Sequence, residues 1–209
     1  MKKQHVLFLL LAFLMASCGP TIYVAKDFEK ERKKHKIIAV LPFDVSITQK
    51  KLPKDVTPEM IRKQEEEVGY SLQGHVYTYF LKRQGDYTIK FQDVDKTNVA
   101  LEKAGIAYQD LRKKGKDELC KILGVDVVLS GQAMMSRPMS EGAAWAVGIV
   151  FGVWGSTNEV NASVTIHDSN ADLLWKYDHT YSGSVGSSSE SLAKSLMKNV
   201  SKKFAYKKK

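Results

Sequence analysis

Cysteine is nearly absent from this chain, with only Cys18 and Cys120 among 209 residues. Two cysteines placed so far apart supply no disulfide framework. Histidine offers no metal site either. His5, His35, His75, His167 and His179 are scattered, and none stands at ligand spacing with a cysteine or another histidine. No Gly-x-Ser-x-Gly elbow or other nucleophile motif is present. Gly183-Ser184-Val185-Gly186 is too short a signal for a phosphate cradle and reads as a hinge or turn. No basic stripe interleaves with aromatics, which excludes nucleic acid as the expected partner. Finally, no apolar run reaches the ~20 residues that a membrane-spanning helix requires.

What is present begins at the N-terminus. Lys2 and Lys3 precede an apolar run over residues 6–15, then Ala16 and Ser17, two small residues directly before Cys18. A charged start, a short apolar stretch and a small-residue cleavage site predict a secretory signal peptide over residues 1–17. Leu14-Met15-Ala16-Ser17-Cys18 resembles the lipobox of bacterial lipoproteins. That resemblance implies diacylation of the Cys18 thiol, removal of the signal, and acylation of the new amino group by a palmitate-type chain. Two or more acyl chains hold a protein stably on a bilayer, whereas one is marginal. Gly19 stands where lipoproteins kept in the inner membrane often carry Asp, so the resemblance implies the outer membrane and a domain facing the periplasm. Residues 18–36 then read as a lipidated tether, in which Ile22, Tyr23 and Val24 precede a charge-dense run over residues 26–34.

Residues 37–206 fit one domain, followed by a basic tail at 207–209. Ile37-Ile38-Ala39-Val40-Leu41-Pro42-Phe43 predicts a strand buried on both faces, and residues 44–56 a polar loop. Thr57-Pro58-Glu59 starts a helix, with Thr as cap and Pro at the first helical position. Ile61, Val68, Leu72, Val76, Tyr79 and Phe80 carry the apolar spacing onward, while Gly69 and Gly74 suggest close packing on the sheet. The exposed face of that helix is expected to carry Glu65, Glu66 and Glu67. Further along, residues 87–92 predict a strand, 95–104 a helix closed by Gly105, 108–113 a helical turn and 116–123 a helix ended by Gly124. Cys120 on that last helix is expected to pack as a small apolar group. A strand follows at 125–131. Residues 159–168 and 173–181 then form an antiparallel hairpin, with Val160, Ala162, Val164 and Ile166 on one face. The last helix, 190–204, buries Leu192, Leu196 and Val200. The order β-α-β-α-α-β-β-β-α predicts an α/β (α+β mixed) fold, one three-layer-like domain around a mixed sheet.

Two of these motifs carry a further resemblance. Ala39-Val40-Leu41-Pro42-Phe43 opening the domain, and Leu123-Gly124-Val125-Asp126-Val127-Val128-Leu129-Ser130-Gly131 later, look like the α/β domain of several envelope proteins. These are the curli-secretion channel lipoproteins, the amino-terminal domain of the Tol-system β-propeller protein, and the outer-membrane lipoproteins that activate penicillin-binding proteins. The resemblance implies assembly and protein contact in place of catalysis, though a shared fold does not fix a function.

Residues 142–155 carry no charge and include Trp145, Gly148, Ile149, Phe151, Gly152 and Trp154. As a helix they would reach ~21 Å, short of the ~30 Å hydrocarbon core. They also lack the alternation of a barrel strand, in departure from the curli channels. Three readings stand open: a cover for the domain's own sheet, a self-association or partner interface, and shallow membrane insertion. The formal charge of +9 falls by two once Lys2 and Lys3 are removed. Lys202, Lys203 and the terminal lysines read either as a solvated helix end or as an attraction to anionic headgroups or cell-wall polymer.

The expected protein is therefore not an enzyme and takes no cofactor beyond the lipid on Cys18. It acts as a membrane-anchored periplasmic binding or assembly module in envelope biogenesis or secretion. An envelope protein is its expected partner, and self-association is left open. One alternative is an oligomeric secretion-channel lipoprotein of the curli-export type. The other is an envelope hydrolase that uses His167 as base and Asp168 as its orienter.

Overall fold

The structure, a computed structural model, describes residues 19–49, 56–137, 159–182 and 188–208. Cys18 lies outside these residues, as do Trp145, Gly148, Ile149, Phe151, Gly152 and Trp154. The described elements are β1 (Thr21–Val24), α1 (Phe28–Glu31), β2 (Ile37–Val40), β3 (Asp44–Gln49), α2 (Pro58–Leu81), β4 (Lys90–Phe91), α3 (Val94–Lys103), α4 (Lys116–Leu123), β5 (Val127–Arg137), β6 (Glu159–Asp168), β7 (Leu173–Ser182) and α5 (Ser189–Lys203). Short 3-10 turns lie at Gln84–Asp86 and Tyr108–Lys113. One mixed sheet runs β1-β7-β6-β5-β2-β4, with β3 also paired to β5. The expected α/β class with a mixed sheet is what the chain forms.

Local chemistry accounts for the helix ends. The Thr57 side chain accepts from the Met60 N–H and Pro58 opens α2, so the capping residues act as their types predict. Gly124 closes α4 in the left-handed conformation, at φ 63°. Gly69 is where α2 meets the sheet loop: a Cβ there would lie 2.4 Å from the Phe43 carbonyl oxygen and 2.5 Å from the Tyr108 ring. Gly74 meets nothing within 4 Å, so close packing explains only the first of the two glycines.

Two apolar clusters form, one on each side of the sheet. On one side α2 and α5 pack Leu72, Val76, Phe80, Leu196 and Val200 against Ile38, Val40, Leu129, Ile166 and Trp175. On the other, α3, α4 and the Tyr108–Lys113 turn pack Leu101, Leu111, Leu119 and Leu123 against Ala39, Leu41 and Val128. Cys120 is buried in this second cluster, and burial pushes its thiol up to about 12. It is a protonated packing group, as its apolar flanks predict.

Three segments differ from the sequence reading. The expected tether over residues 18–36 is folded onto the domain from β1 onward. Thr21–Val24 pairs antiparallel with β7, and Phe28 is buried edge-on against Tyr206 at 5.3 Å between ring centroids. Backbone pairing outweighs the surrounding charge there, because β7 would otherwise present a bare edge. The expected loop at 44–56 begins with β3, which pairs parallel to β5 from Asp44↔Gln132 to Gln49↔Arg137. Val45 and Ile47 alternate inward and supply the apolar face. By contrast, the expected strand at 87–92 pairs only through Lys90 and Phe91, since the chain before it is taken up by a 3-10 turn and an isolated bridge from Tyr87 to Lys207.

Candidate ligand pocket on the open face of the sheet

Among the described residues, helices cover the second side of the sheet over β2 and the near ends of β5 and β6. Beyond that point β5, β6 and β7 turn polar side chains outward. Period-2 alternation fixes this: in β6, Val160, Ala162, Val164 and Ile166 are buried while Asn161, Ser163, Thr165 and His167 face the other way. Cross-strand register aligns Tyr23, Lys176, Thr165 and Ser130 in one row, and Asp178, Ser163 and Gln132 in the next. Local bonds hold the outer part. Thr180 Oγ1 donates to Asn161 Oδ1 at 2.6 Å, and Lys176 pairs with Asp178 at 2.9 Å.

Where this open face meets the helical cover, a cavity of about 390 Å³ forms. Its floor is Ser130, Gln132, Ser163, Thr165 and His167. Its wall holds Arg112 from the 3-10 turn, Lys116 from the start of α4, and Asp44. Burial lowers the pKa of the Lys116 ammonium, and the nearby Asp44 carboxylate partly offsets that. Burial likewise lowers His167, and the Lys116 charge adds to the effect. Ser130 Oγ and His167 Nδ1 are buried with no hydrogen-bond partner among the described residues. Leaving a buried polar atom unpaired costs ~1–3 kcal/mol, so each such atom needs a reason.

The sequence-predicted pair His167 and Asp168 is not brought together as base and orienter. Adjacent strand residues point to opposite faces. His167 faces the pocket, whereas Asp168 is buried and its Oδ1 accepts from the Asn170 and Asp172 N–H groups at 2.9 Å each, closing the β6–β7 turn. Nor do His167 and His179 face each other, because the register pairs His167 with Leu173 and His179 with Ala162. His75 is exposed on α2, and His35 Nδ1 lies 2.7 Å from the Tyr206 hydroxyl. Among the described residues no group of three or more His, Cys, Asp or Glu side chains is placed to hold a metal. Among them, too, no helix is long and apolar enough to cross a membrane.

Arg112, Lys116 and Lys176 escape sequence reasoning because they come from three separate elements. Glu65 also differs from its expected solvated role. Its Oε1 accepts the Ile47 N–H at 2.8 Å, and burial raises its pKa. The Tyr108 hydroxyl accepts the Val45 N–H at 3.0 Å and donates to the Phe43 carbonyl at 2.7 Å. These two side chains occupy donors on the outer edge of β3, which blunts that edge against strand addition.

The ends of the strands add one further relation. The registers bring Gln49, Arg137, Glu159 and Ser182 to one level of the sheet. β1 runs antiparallel to β7 from Thr21↔Asp178 to Val24↔Trp175, so the chain before Thr21 enters from that same end.

No family model matches this chain, and no curated protein matches it. Among solved structures it is similar to lipoprotein GNA1162 from Neisseria meningitidis, at 14% identity and a TM-score of 0.48, over 81% of this chain and 98% of that one. It is also similar to the PelC dodecamer from Paraburkholderia phytofirmans, at 15% identity and a TM-score of 0.43, over 91% and 99%. A third neighbour is the LpoB C-terminal domain from Salmonella enterica, at 10% identity and a TM-score of 0.36, over 71% and 83%. One of these neighbours is itself a lipoprotein, the class that the sequence motif resembles. Identities this low and superpositions this loose carry no argument about function.

Proposed function

We propose that this protein is a non-enzymatic binding module held at the outer membrane by acyl chains on Cys18, serving envelope assembly or secretion from the periplasmic side. The observation that supports it best is the convergence at one end of the sheet. The chain that follows Cys18 enters β1 from the level at which β5 ends at Arg137 and β6 begins at Glu159. Those two residues flank the neutral segment 142–155 in sequence. The chain toward Cys18 and the chain toward residues 142–155 therefore leave the described sheet from one end, and the polar open face lies along the side. An acyl anchor that confines the module near a bilayer raises its effective concentration toward partners there.

Metabolic labelling with a palmitate analogue tests the anchor. The wild type takes the label and fractionates with outer membranes, whereas Cys18→Ser is unlabelled and released to the soluble fraction. Equal labelling of both would end the reading. Replacing Ile149 and Phe151 by Asp tests the shared end: membrane partitioning or oligomeric state changes while the fold survives.

A second reading, an oligomeric secretion-channel lipoprotein, is kept because the neutral segment lies in sequence between β5 and β6, which are neighbours in the sheet. A ring-shaped oligomer in detergent, or ion conductance in planar bilayers, selects it. For the hydrolase reading, the separation of His167 from Asp168 removes the catalytic pair that motivated it.

A further inference from the structure

We propose that the pocket between α4, the Tyr108–Lys113 turn and the open sheet face binds a phosphate group carried by a soluble molecule. This inference goes beyond the anchored-module reading: the phosphate site itself needs no lipid anchor, while its assignment to a soluble molecule rests on that reading. Three cations line the cavity, Arg112, Lys116 and Lys176, against one carboxylate on its wall, Asp44. Lys176 is paired with Asp178, which leaves Arg112 and Lys116 against Asp44, and the charge inside stays positive. Lys116 is half-buried and makes no ion pair within 4 Å with a described residue, and the Asp44 carboxylate only partly offsets its burial. Removing an ammonium from water without a partner is unfavourable, and an anion in the cavity supplies the missing counter-charge.

The donor set points to phosphate over a carboxylate. Ser130, Ser163 and Thr165 bring three hydroxyl side chains to the floor, in a cavity that His167 and Arg112 also line. Ser130 and His167, both in this lining, carry two of the six buried polar atoms that lack a hydrogen-bond partner among the described residues. A phosphate offers three acceptor oxygens to such converging donors, and a guanidinium recognises two of them at once. A planar carboxylate would leave part of the set unused. The position of the pocket argues against a bilayer headgroup. Gln132 on its floor lies five residues before Arg137, at the end of the sheet from which the anchor segment enters, which is ~17 Å along the strand. A module standing on that end holds the pocket clear of the membrane surface.

The test is a titration of full-length protein carrying isotope-labelled histidine, at constant ionic strength. The probes are inorganic phosphate, glycerol 3-phosphate, glycerophosphoglycerol and acetate. Phosphate and glycerol 3-phosphate are expected to move the His167 ring signals to saturation with a Kd at or below ~1 mM, leaving exposed His75 unmoved. Lys116→Gln weakens this by about tenfold or more. Ser163→Asp, which adds a carboxylate to the floor and removes no cation, abolishes it while the circular dichroism spectrum is retained. Glycerol 3-phosphate binding at least about tenfold tighter than the diester supports a soluble monoester. Equal binding of the diester overturns the soluble assignment in favour of a lipid headgroup. Saturation by acetate as strong as by phosphate, shifts that never saturate, or shifts unchanged in Lys116→Gln each overturn the phosphate site.

Discussion

The two faces of this sheet are built from the same strands and obey different rules. Under α2 and α5, the inward side chains of β5, β6 and β7 are mostly apolar and buried, down to Trp175 at 0% exposure, with half-buried His179 between Tyr177 and Tyr181. On the reverse, the same strands carry Ser, Thr, Asn, Gln, His, Lys and the exposed Met134, and the described helices cover the β2 side. A sealed apolar face can be altered only by opening a cavity or forcing a clash, whereas an open polar face exchanges one water contact for another. Stability and recognition thus reside on opposite sides of one set of strands. Variants on the open side can change binding without changing the fold.

The sharpest way to break that contrast is Trp175→Ala. It should cost about 3–5 kcal/mol, read as a lowered urea midpoint, because a large side chain stacked near Tyr177 and Phe204 leaves a cavity. A loss below about 1 kcal/mol would mean that the covered face is far less tightly packed than described. Next comes Gly69→Ala. The new methyl meets a backbone oxygen that cannot rotate away, so a loss of about 1–3 kcal/mol is expected in the same assay.

Acid sensitivity comes third. His35 and His167 both have their pKa lowered, chiefly by burial. Their charged forms are disfavoured in the fold, so the stability they contribute is present above the ordinary value of roughly 6.5 and lost as pH falls through their folded values. Urea midpoints measured from pH 7 down to pH 5 should fall more steeply for the wild type than for the His35→Gln, His167→Gln double variant. Parallel curves would remove the histidines from the acid response. The smallest effect is expected on the open face, where Thr165→Ala should stay within about 0.5 kcal/mol of wild type. Glycerol 3-phosphate titration of that same variant should show weakened binding, so that stability and recognition separate in one protein.

How much could be read in advance follows from the range of each interaction. The β6–β7 hairpin is written in its alternation and in the turn at residues 169–172. The start of α2 is written in Thr57-Pro58, and the end of α4 in Gly124. Each depends on residues a few positions apart. β1 was hidden because its charged neighbours suggest a solvated linker, and only the bare edge of β7, more than 150 residues later, gives Ile22 and Val24 a partner. β3 was hidden among polar residues for the same kind of reason, with β5 as its distant template. His167 was noticed as half of a pair with its neighbour Asp168. The pleat dissolved that pair and gave His167 a different set of companions, Lys116 and Ser130.

By itself, the sequence determined the helix caps, the glycine stops, the inward apolar period of the hairpin and the lipobox-like segment at Cys18. All of these are local, set by propensity and by the chemistry of adjacent residues. The tertiary structure alone decided which edges are paired, which part of the second face the described helices cover, and which cations meet beside it. Arg112, Lys116 and Lys176 are far apart along the chain, and only strand register and helix placement bring them to one cavity. Charge clustering of that kind arises from chain crossings in space, which no local period encodes.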